Sequence, residues 1–375
     1  MKKSYRLVTV LLWLHAAALC PAGAATSVPG LTPTSLTPEL VRKLAEAGDA
    51  SSQYNLGFCC YRGEGVPQDY AAAAKWFRKA AEQGVYQAQF GLALCYREGH
   101  GVPRDDAEAA KWLRKAAEQG DAKAQQLLGT CYQAGRGVAA SAADAAQWFQ
   151  KAAGQGVVRA QVELALCYRE GRGVPQDPAA AVTWLQKAAD QHDAKAQFLL
   201  GAQHEAGAGV PQNFSEAARC YRLAAAQGLA AAQYNLGVLC AQGQGAPQDF
   251  TEAVTWFQRA AAQGDAQAQF NLGLCCEKGQ GLPQDPAAAV QWYRRAAAQG
   301  DVRAQCNLAA CLAKGQGVPR DAVEAYAWFN LAAAAGDAKA VAARAALQQL
   351  MTAEEVAAGQ RRATALAAPV APPSK

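Results

Sequence analysis

Histidine is scarce in this chain, charge is light, and beyond the first two dozen residues no long apolar run occurs. Each shortage closes off a class of function. Only four histidines occur in 375 residues. They are His15, His100, His192 and His204, and no His-x-His or His-Glu-x-x-His spacing joins them into a zinc site. The Ser-x-x-Lys motif of serine β-lactamases is absent. Charged residues make up 18% of the chain and the formal net charge is +5. Three of the cations, Lys2, Lys3 and Arg6, precede any acid, so the remainder is nearer neutral. It lacks the basic footprint of a nucleic-acid or membrane-surface binder. After the N-terminus, no stretch is apolar for long enough to span a bilayer.

The start itself reads as an export signal. Lys2, Lys3 and Arg6 lead into "LVTVLLWLHAAALC", and "AGA" at 22–24 offers small residues for cleavage after about Ala24. Cys20 follows Leu19, which is too large for lipoprotein processing. The mature chain is therefore expected to be soluble and periplasmic or secreted, in a bacterium.

An internal period organises the rest. Trp76, Trp112, Trp148, Trp184, Trp256, Trp292 and Trp328 are spaced by multiples of 36 residues, and Cys220 stands at the one vacant register. The segment "GEGVPQDYAAAAKWFRKAAEQG" at 63–84 returns as "GHGVPRDDAEAAKWLRKAAEQG" at 99–120 and "GQGLPQDPAAAVQWYRRAAAQG" at 279–300. Each unit predicts two helices. The first, near Ala50 to Arg62, sets Gln53, Leu56 and Cys60 on one face. Glycine ends it. Asp69 caps the second helix, and Asp177–Pro178 and Asp285–Pro286 place proline at a first helical position. The second helix buries Ala73, Phe77 and Ala80 and ends at Gly84. Asp121, Asp265, Asp301 and Asp337 cap the helices that follow.

The expected architecture is all-α: a solenoid (α-α superhelix) of eight 36-residue helix-turn-helix repeats over 49–336. A capping helix over 37–48, with Thr37 as its cap, and C-terminal capping helices over 337–367 complete it. Residues 1–24 form the signal, 25–36 a flexible linker and 368–375 a disordered tail. Thr352 with Glu355 forms a capping-box pattern in the last helical segment.

The glycine-rich loop invites a phosphate-site reading, which fails. No copy has the lysine and hydroxyl that should follow the last glycine, and most place Asp at the helix start, where it repels an anion. One carboxylate per loop is also too few for calcium. The loop is expected to be a hinge, and no cofactor or metal is expected.

Cysteine usage leaves more open. Eleven of twelve cysteines lie beyond the signal, and Cys59, Cys95, Cys131, Cys167, Cys275 and Cys311 share one register. Neighbouring copies on stacked helices stand about 8–10 Å apart, beyond the roughly 7 Å limit for a disulfide. They read as small packing residues. Cys220 and Cys240, at similar distances from the turn at Gly228, are the pair that could bridge. A thiol-based redox or metal-handling role is a further alternative.

The residues "A-Q-x-x-L-G", "G-x-G-V-P-Q-D" and "W-x-x-K-A-A-x-Q-G" resemble the Sel-one-like repeat (SLR) family, relatives of tetratricopeptide repeats. The likeness covers nearly all of the mature chain, although repeat three ("GRGVAASAAD") lacks Pro-Gln-Asp and repeat five lacks the Trp. It implies an adaptor that binds a protein or peptide along a concave face. A cysteine-rich branch of that family has members described as penicillin-binding or β-lactamase-like, so a β-lactamase-like or cell-wall hydrolase is the rival. That branch pairs cysteines between the two helices of a unit, and most units here have none in the second helix.

The helical wheel gives the adaptor a surface. Ser51, Asn55, Phe58 and Arg62 align opposite Leu56 and Cys60. Asn recurs in that register as Asn235, Asn271 and Asn307, able to bond an extended backbone in both directions. Phe58, Leu94, Leu166 and Leu274 supply apolar contacts, and Arg159, Lys195, Arg303 and Lys314 supply charge. Repeats six to eight are expected to be the most groove-like. The alternative for these Asn residues is that they merely solvate the face or bond between repeats. His204, in a slot usually held by Tyr or Cys, is expected to be packing.

Overall fold

Thirteen-residue helices alternating with short turns dominate the computed structural model, which describes residues 38–367. The expected signal at 1–24, the linker at 25–36, the Thr37 cap and the tail at 368–375 lie outside the described residues. Nineteen helices and no strand occur among the described residues. The fold is an all-α solenoid of helix pairs. It divides into two compact units at Gln176–Asp177, inside the loop of the fourth repeat.

The first unit holds α1 (Pro38–Glu46), α2 (Ala50–Arg62), α3 (Tyr70–Glu82), α4 (Tyr86–Glu98), α5 (Asp106–Glu118), α6 (Ala122–Ala134), α7 (Ala142–Gly154) and α8 (Val158–Glu170). The second opens with α9 (Pro178–Ala189). It continues through α10 (Ala194–Ala206), α11 (Phe214–Ala226), α12 (Ala230–Gln242), α13 (Phe250–Ala262), α14 (Ala266–Lys278), α15 (Pro286–Ala298), α16 (Val302–Lys314), α17 (Ala322–Ala334), α18 (Ala338–Gln348) and α19 (Ala353–Ala367). Within each unit a first helix packs on its own second helix and on the second helix of the preceding hairpin.

Local chemistry explains the boundaries. Gly63 closes α2 in the left-handed region at φ 75°, which costs a glycine little. The Asp69 carboxylate then accepts from Ala72 N at 2.9 Å and starts α3. Repeat three, without its Asp, substitutes Ser141, whose hydroxyl accepts from Asp144 N at 3.2 Å. At α19 the capping box is formed: Thr352 N donates to Glu355 at 2.8 Å, and Glu355 N donates back to Thr352 Oγ1 at 3.2 Å.

The second glycine of each loop has a reason that the turn alone does not give. A Cβ on Gly101 would lie 2.0 Å from the Tyr70 carbonyl oxygen, and one on Gly245 2.5 Å from that of Phe214. Here the loop of one hairpin presses on the backbone that opens the second helix of the hairpin before it. The loop is an inter-repeat contact as well as a hinge.

Packing inside each hairpin is matched in size. Where the second helix brings Phe77, Phe149, Tyr221, Phe257 or Tyr293, the facing residue is Gly57, Gly129, Gly201, Gly237 or Gly273, and a Cβ there would meet the ring within 2.8 Å. Leu113 and Leu185 share register with those rings, and their hairpins carry Ala93 and Ala165 instead. Such volume compensation keeps the interior close-packed.

A polar ladder of glutamines ties hairpins together. Gln89, 4% exposed, donates through Nε2 to the Ala81 carbonyl at 3.2 Å and accepts from Gln119 Nε2 at 2.9 Å. The same arrangement repeats at Gln53, Gln125, Gln197, Gln233 and Gln269. Outside, a cation three residues on covers the Trp of repeats one to four, six and seven, whereas Trp328 of repeat eight has Leu331 in that place. Lys151 stands 4.0 Å from the Trp148 ring centroid, Lys79 4.4 Å from Trp76 and Arg295 4.6 Å from Trp292. Repeat five lacks both partners: buried Cys220 replaces the Trp, and exposed Leu223 replaces the cation.

Candidate peptide-binding face

On every first helix one side is consumed by packing. Gln53, Leu56 and Cys60 of α2 are buried, whereas Ser51 and Arg62 are exposed and Asn55 and Phe58 half-buried. The stripe expected to meet a partner is thus accessible. Leu94, Leu166 and Leu274 are half-buried in the same register, and Arg159, Arg303 and Lys314 are exposed.

In the first unit this stripe surrounds a cavity of about 350 Å³. Tyr54, Phe58 and Arg62 of α2, Gln87, Phe90, Gly91 and Leu94 of α4, and Lys123 of α6 line it, with Phe77 of α3 as its base. Gly91 explains the opening. It occupies the register that holds Asn55, Asn235, Asn271 and Asn307 elsewhere, and a Cβ there would come within 3.2 Å of the Phe77 ring. Tyr54 links Phe58 and Phe77, with ring centroids 6.3 and 6.0 Å away. The Arg62 guanidinium lies 5.6 Å from the Phe58 centroid. A smaller cavity of about 220 Å³ beside Ala140 and Ser141 marks the departure in repeat three. The loop glutamine that reaches a helix carbonyl elsewhere, as Gln68 does to Tyr61, is Ala140 there.

In the second unit Asn235 and Asn307 have other work. The Tyr221 hydroxyl donates to the Glu205 carboxylate, and the Asn235 amide bonds that hydroxyl in turn. The same chain runs from Glu277 to Tyr293, at 2.6 Å, and on to Asn307. Each network joins both helices of one hairpin to the first helix of the next. Burial, helped by the adjacent carboxylate, pushes both phenols well above their ordinary pKa. Asn271 has no phenol to meet, because Phe257 holds that register, and for Asn55 the residue there is Val41. A 36-residue offset comparison carries the signal for these networks. Tyr occurs in this register only at 221 and 293, each with Glu sixteen residues before and Asn fourteen after. Arg303 is also engaged, with Asp301 at 2.8 Å and over the Phe270 ring at 4.4 Å.

The considered bridge between Cys220 and Cys240 does not form in the structure, where both are free and buried. Cys240 instead turns its sulfhydryl to the Glu252 carboxylate of its own hairpin. Burial raises all eleven described thiols, Cys95, Cys275 and Cys311 to about 11. Such thiols are protonated at neutral pH, the unreactive form. No group of three or more His, Cys, Asp or Glu side chains able to hold a metal occurs among the described residues. His204 is half-buried, with its Nδ1 buried and without a hydrogen-bond partner.

The Sel1 repeat model matches eight consecutive segments: 50–85, 87–121, 122–157, 158–193, 194–229, 230–265, 266–301 and 302–337. The chain belongs to the Sel1 repeat family. Among solved structures it is similar to a Sel1 repeat protein from Oxalobacter formigenes, at 32% identity over 90% of this chain and 99% of that one, with a TM-score of 0.66. It is also similar to c5321, a protective antigen of uropathogenic Escherichia coli strains that displays an SLR fold. That match has 29% identity over 96% of this chain and 91% of that one, with a TM-score of 0.56. No curated protein matches. Sel1 repeats typically mediate protein–protein interaction, and no described helix is long and apolar enough to cross a membrane.

Proposed function

We propose that this Sel1 repeat chain is an exported, non-catalytic scaffold that binds a protein or peptide along the accessible stripe of its first helices. The observation that carries the reading is the asymmetry of those helices. One face is closed by leucine, alanine and the glutamine ladder, while the other leaves Asn55 half-buried and Phe58 and Leu94 half-buried around an open cavity. A surface held by the scaffold before binding adds little ordering cost, so modest contacts can sum to useful affinity. Export rests on Lys2, Lys3 and Arg6 ahead of the apolar run and the small residues at 22–24.

Selection of a displayed random peptide library on the purified full chain tests the binding reading. Enriched peptides should lose affinity when Phe58 and Leu94 are both replaced by Ala, with helicity unchanged. Absence of any enrichment over a protein-free control would defeat it. Fractionation with N-terminal sequencing tests export, and a mature chain that still begins at Met1 counts against it. Turnover of a chromogenic β-lactam that copurifies with the protein would remove the non-catalytic part.

A further inference from the structure

We propose that the cavity shared by repeats one to three takes a large apolar side chain, preferentially aromatic, from an acidic segment of the partner protein. This deepens the peptide-binding reading and rests on it. Three features of the site select that chemistry.

The first is size. About 350 Å³ lies at the small end of ligand sites, enough for one ring and its adjoining backbone. The second is the wall. Tyr54, Phe58 and Phe90 present rings around Phe77, and tilted ring pairs add to the benefit of area burial. Tyr61, which also lines the cavity, is held by its hydroxyl against His100 Nδ1 at 3.0 Å, so that wall is fixed before anything binds.

The third is charge. Arg62 and Lys123 stand at the rim. The one lining carboxylate, Asp121, is already used, accepting from Ala124 N at 2.6 Å as a helix cap. Lys123 is exposed and forms no ion pair among the described residues. Arg62 has only the exposed Glu64, 4.0 Å away, a weak pairing in water. Two cations flanking an apolar slot favour carboxylates on either side of the inserted residue and disfavour lysine there.

The experiment continues the library selection. The probe is a displayed random 12-mer library, followed by fluorescence-anisotropy titration of the most enriched peptide against the full chain. The expected consensus places Phe, Tyr, Trp or Leu beside Asp or Glu. Gly91→Asn, which fills the slot with the residue used at the same register elsewhere, and Phe58→Ala should each weaken binding by about ten-fold or more. Lys123→Glu should weaken it several-fold, and a peptide with its acids changed to Lys should recover binding to that variant. Phe58→Leu serves where the Ala variant folds poorly. Affinity within two-fold of wild type in all three variants overturns the proposal, as does a consensus without acid or large apolar residue. If peptides are selected but respond only to Asn271→Ala, the groove reading stands and this inference falls. If none is selected, both fall.

Discussion

Gly65 and Gly137 hold the same loop position in two hairpins of the first unit, at φ 75° and 68°. Nothing lies within 4 Å of where a Cβ on Gly65 would point, whereas on Gly137 it would sit 1.8 Å from the Asp106 carbonyl oxygen. The difference is the neighbour: Gly65 belongs to the first repeat, and among the described residues only the single helix α1 precedes it. The opposite end shows a lost partner of another kind, a substitution inside the last hairpin. Gln269 accepts from Gln299, but the register after Gln305 holds Ala335, so Gln305 Oε1 is buried without a partner. In this chain the terminal repeats reveal what these interior residues are for, because they keep the residue and lose its partner.

The sharpest way to break that comparison is to add one methyl group at each glycine. Gly137→Ala combines a left-handed backbone cost with overpacking against backbone that cannot yield, about 2–5 kcal/mol in total. Gly65→Ala carries only the backbone part, about 1–2 kcal/mol. Urea unfolding of the two variants should separate them clearly, and equal losses would mean that the neighbour's carbonyl is irrelevant.

The Glu–Tyr–Asn networks come next. Tyr221→Phe removes a hydroxyl that serves both Glu205 and Asn235, leaving each without it, and should cost about 1–3 kcal/mol. The double variant Tyr221→Phe with Glu205→Ala should lose less than the sum of the singles, since the carboxylate no longer needs a donor. Strict additivity would show that the two groups are not coupled. The register one repeat later supplies the contrast, for Phe257 faces Ala241 there and needs no such partner.

Much of this could be read from residue order. Period, helix pairs, caps and the buried Gln53–Leu56–Cys60 face follow from spacing and capping chemistry, because those interactions lie within a dozen residues. The accessible stripe was legible for the same reason. Two features were not. For the Asn residues of repeats six and eight, residue order leaves peptide contact and inter-repeat bonding both open, because a single helical wheel cannot show that Tyr221 or Tyr293 stands opposite. The cavity was missed at Gly91, since a wheel counts side chains that are present. An absent one matters only when Phe77 on another helix is seen beneath it. Asn makes repeats six to eight the most groove-like in residue order; the cavity of about 350 Å³ lies in repeats one to three.

Restoring the missing partner at the C-terminal end should help. Ala335→Gln supplies the amide that Gln305 Oε1 lacks, and satisfying a buried acceptor contributes about 1 kcal/mol. Thermal unfolding should rise for Ala335→Gln and not for Ala335→Asn, whose side chain is one methylene shorter. A gain from both would point to the helix terminus rather than to Gln305.

The smallest effect belongs to the fourth repeat, whose second helix ends in a different residue from its counterparts. His192 adopts φ 63°, the one non-glycine with positive φ among the described residues, where Gly156 and Gly228 sit at 87° and 90° in the same register. A side chain in the left-handed region costs about 1–2 kcal/mol. Glycine relieves that strain but returns roughly 0.5–1 kcal/mol of freedom to the unfolded chain. The net gain for His192→Gly should therefore be positive and below about 1.5 kcal/mol. Asn, which tolerates this conformation better than His, should fall between them. A loss of stability in His192→Gly would mean that the imidazole makes a contact worth more than the strain it imposes, setting this turn apart from its glycine counterparts.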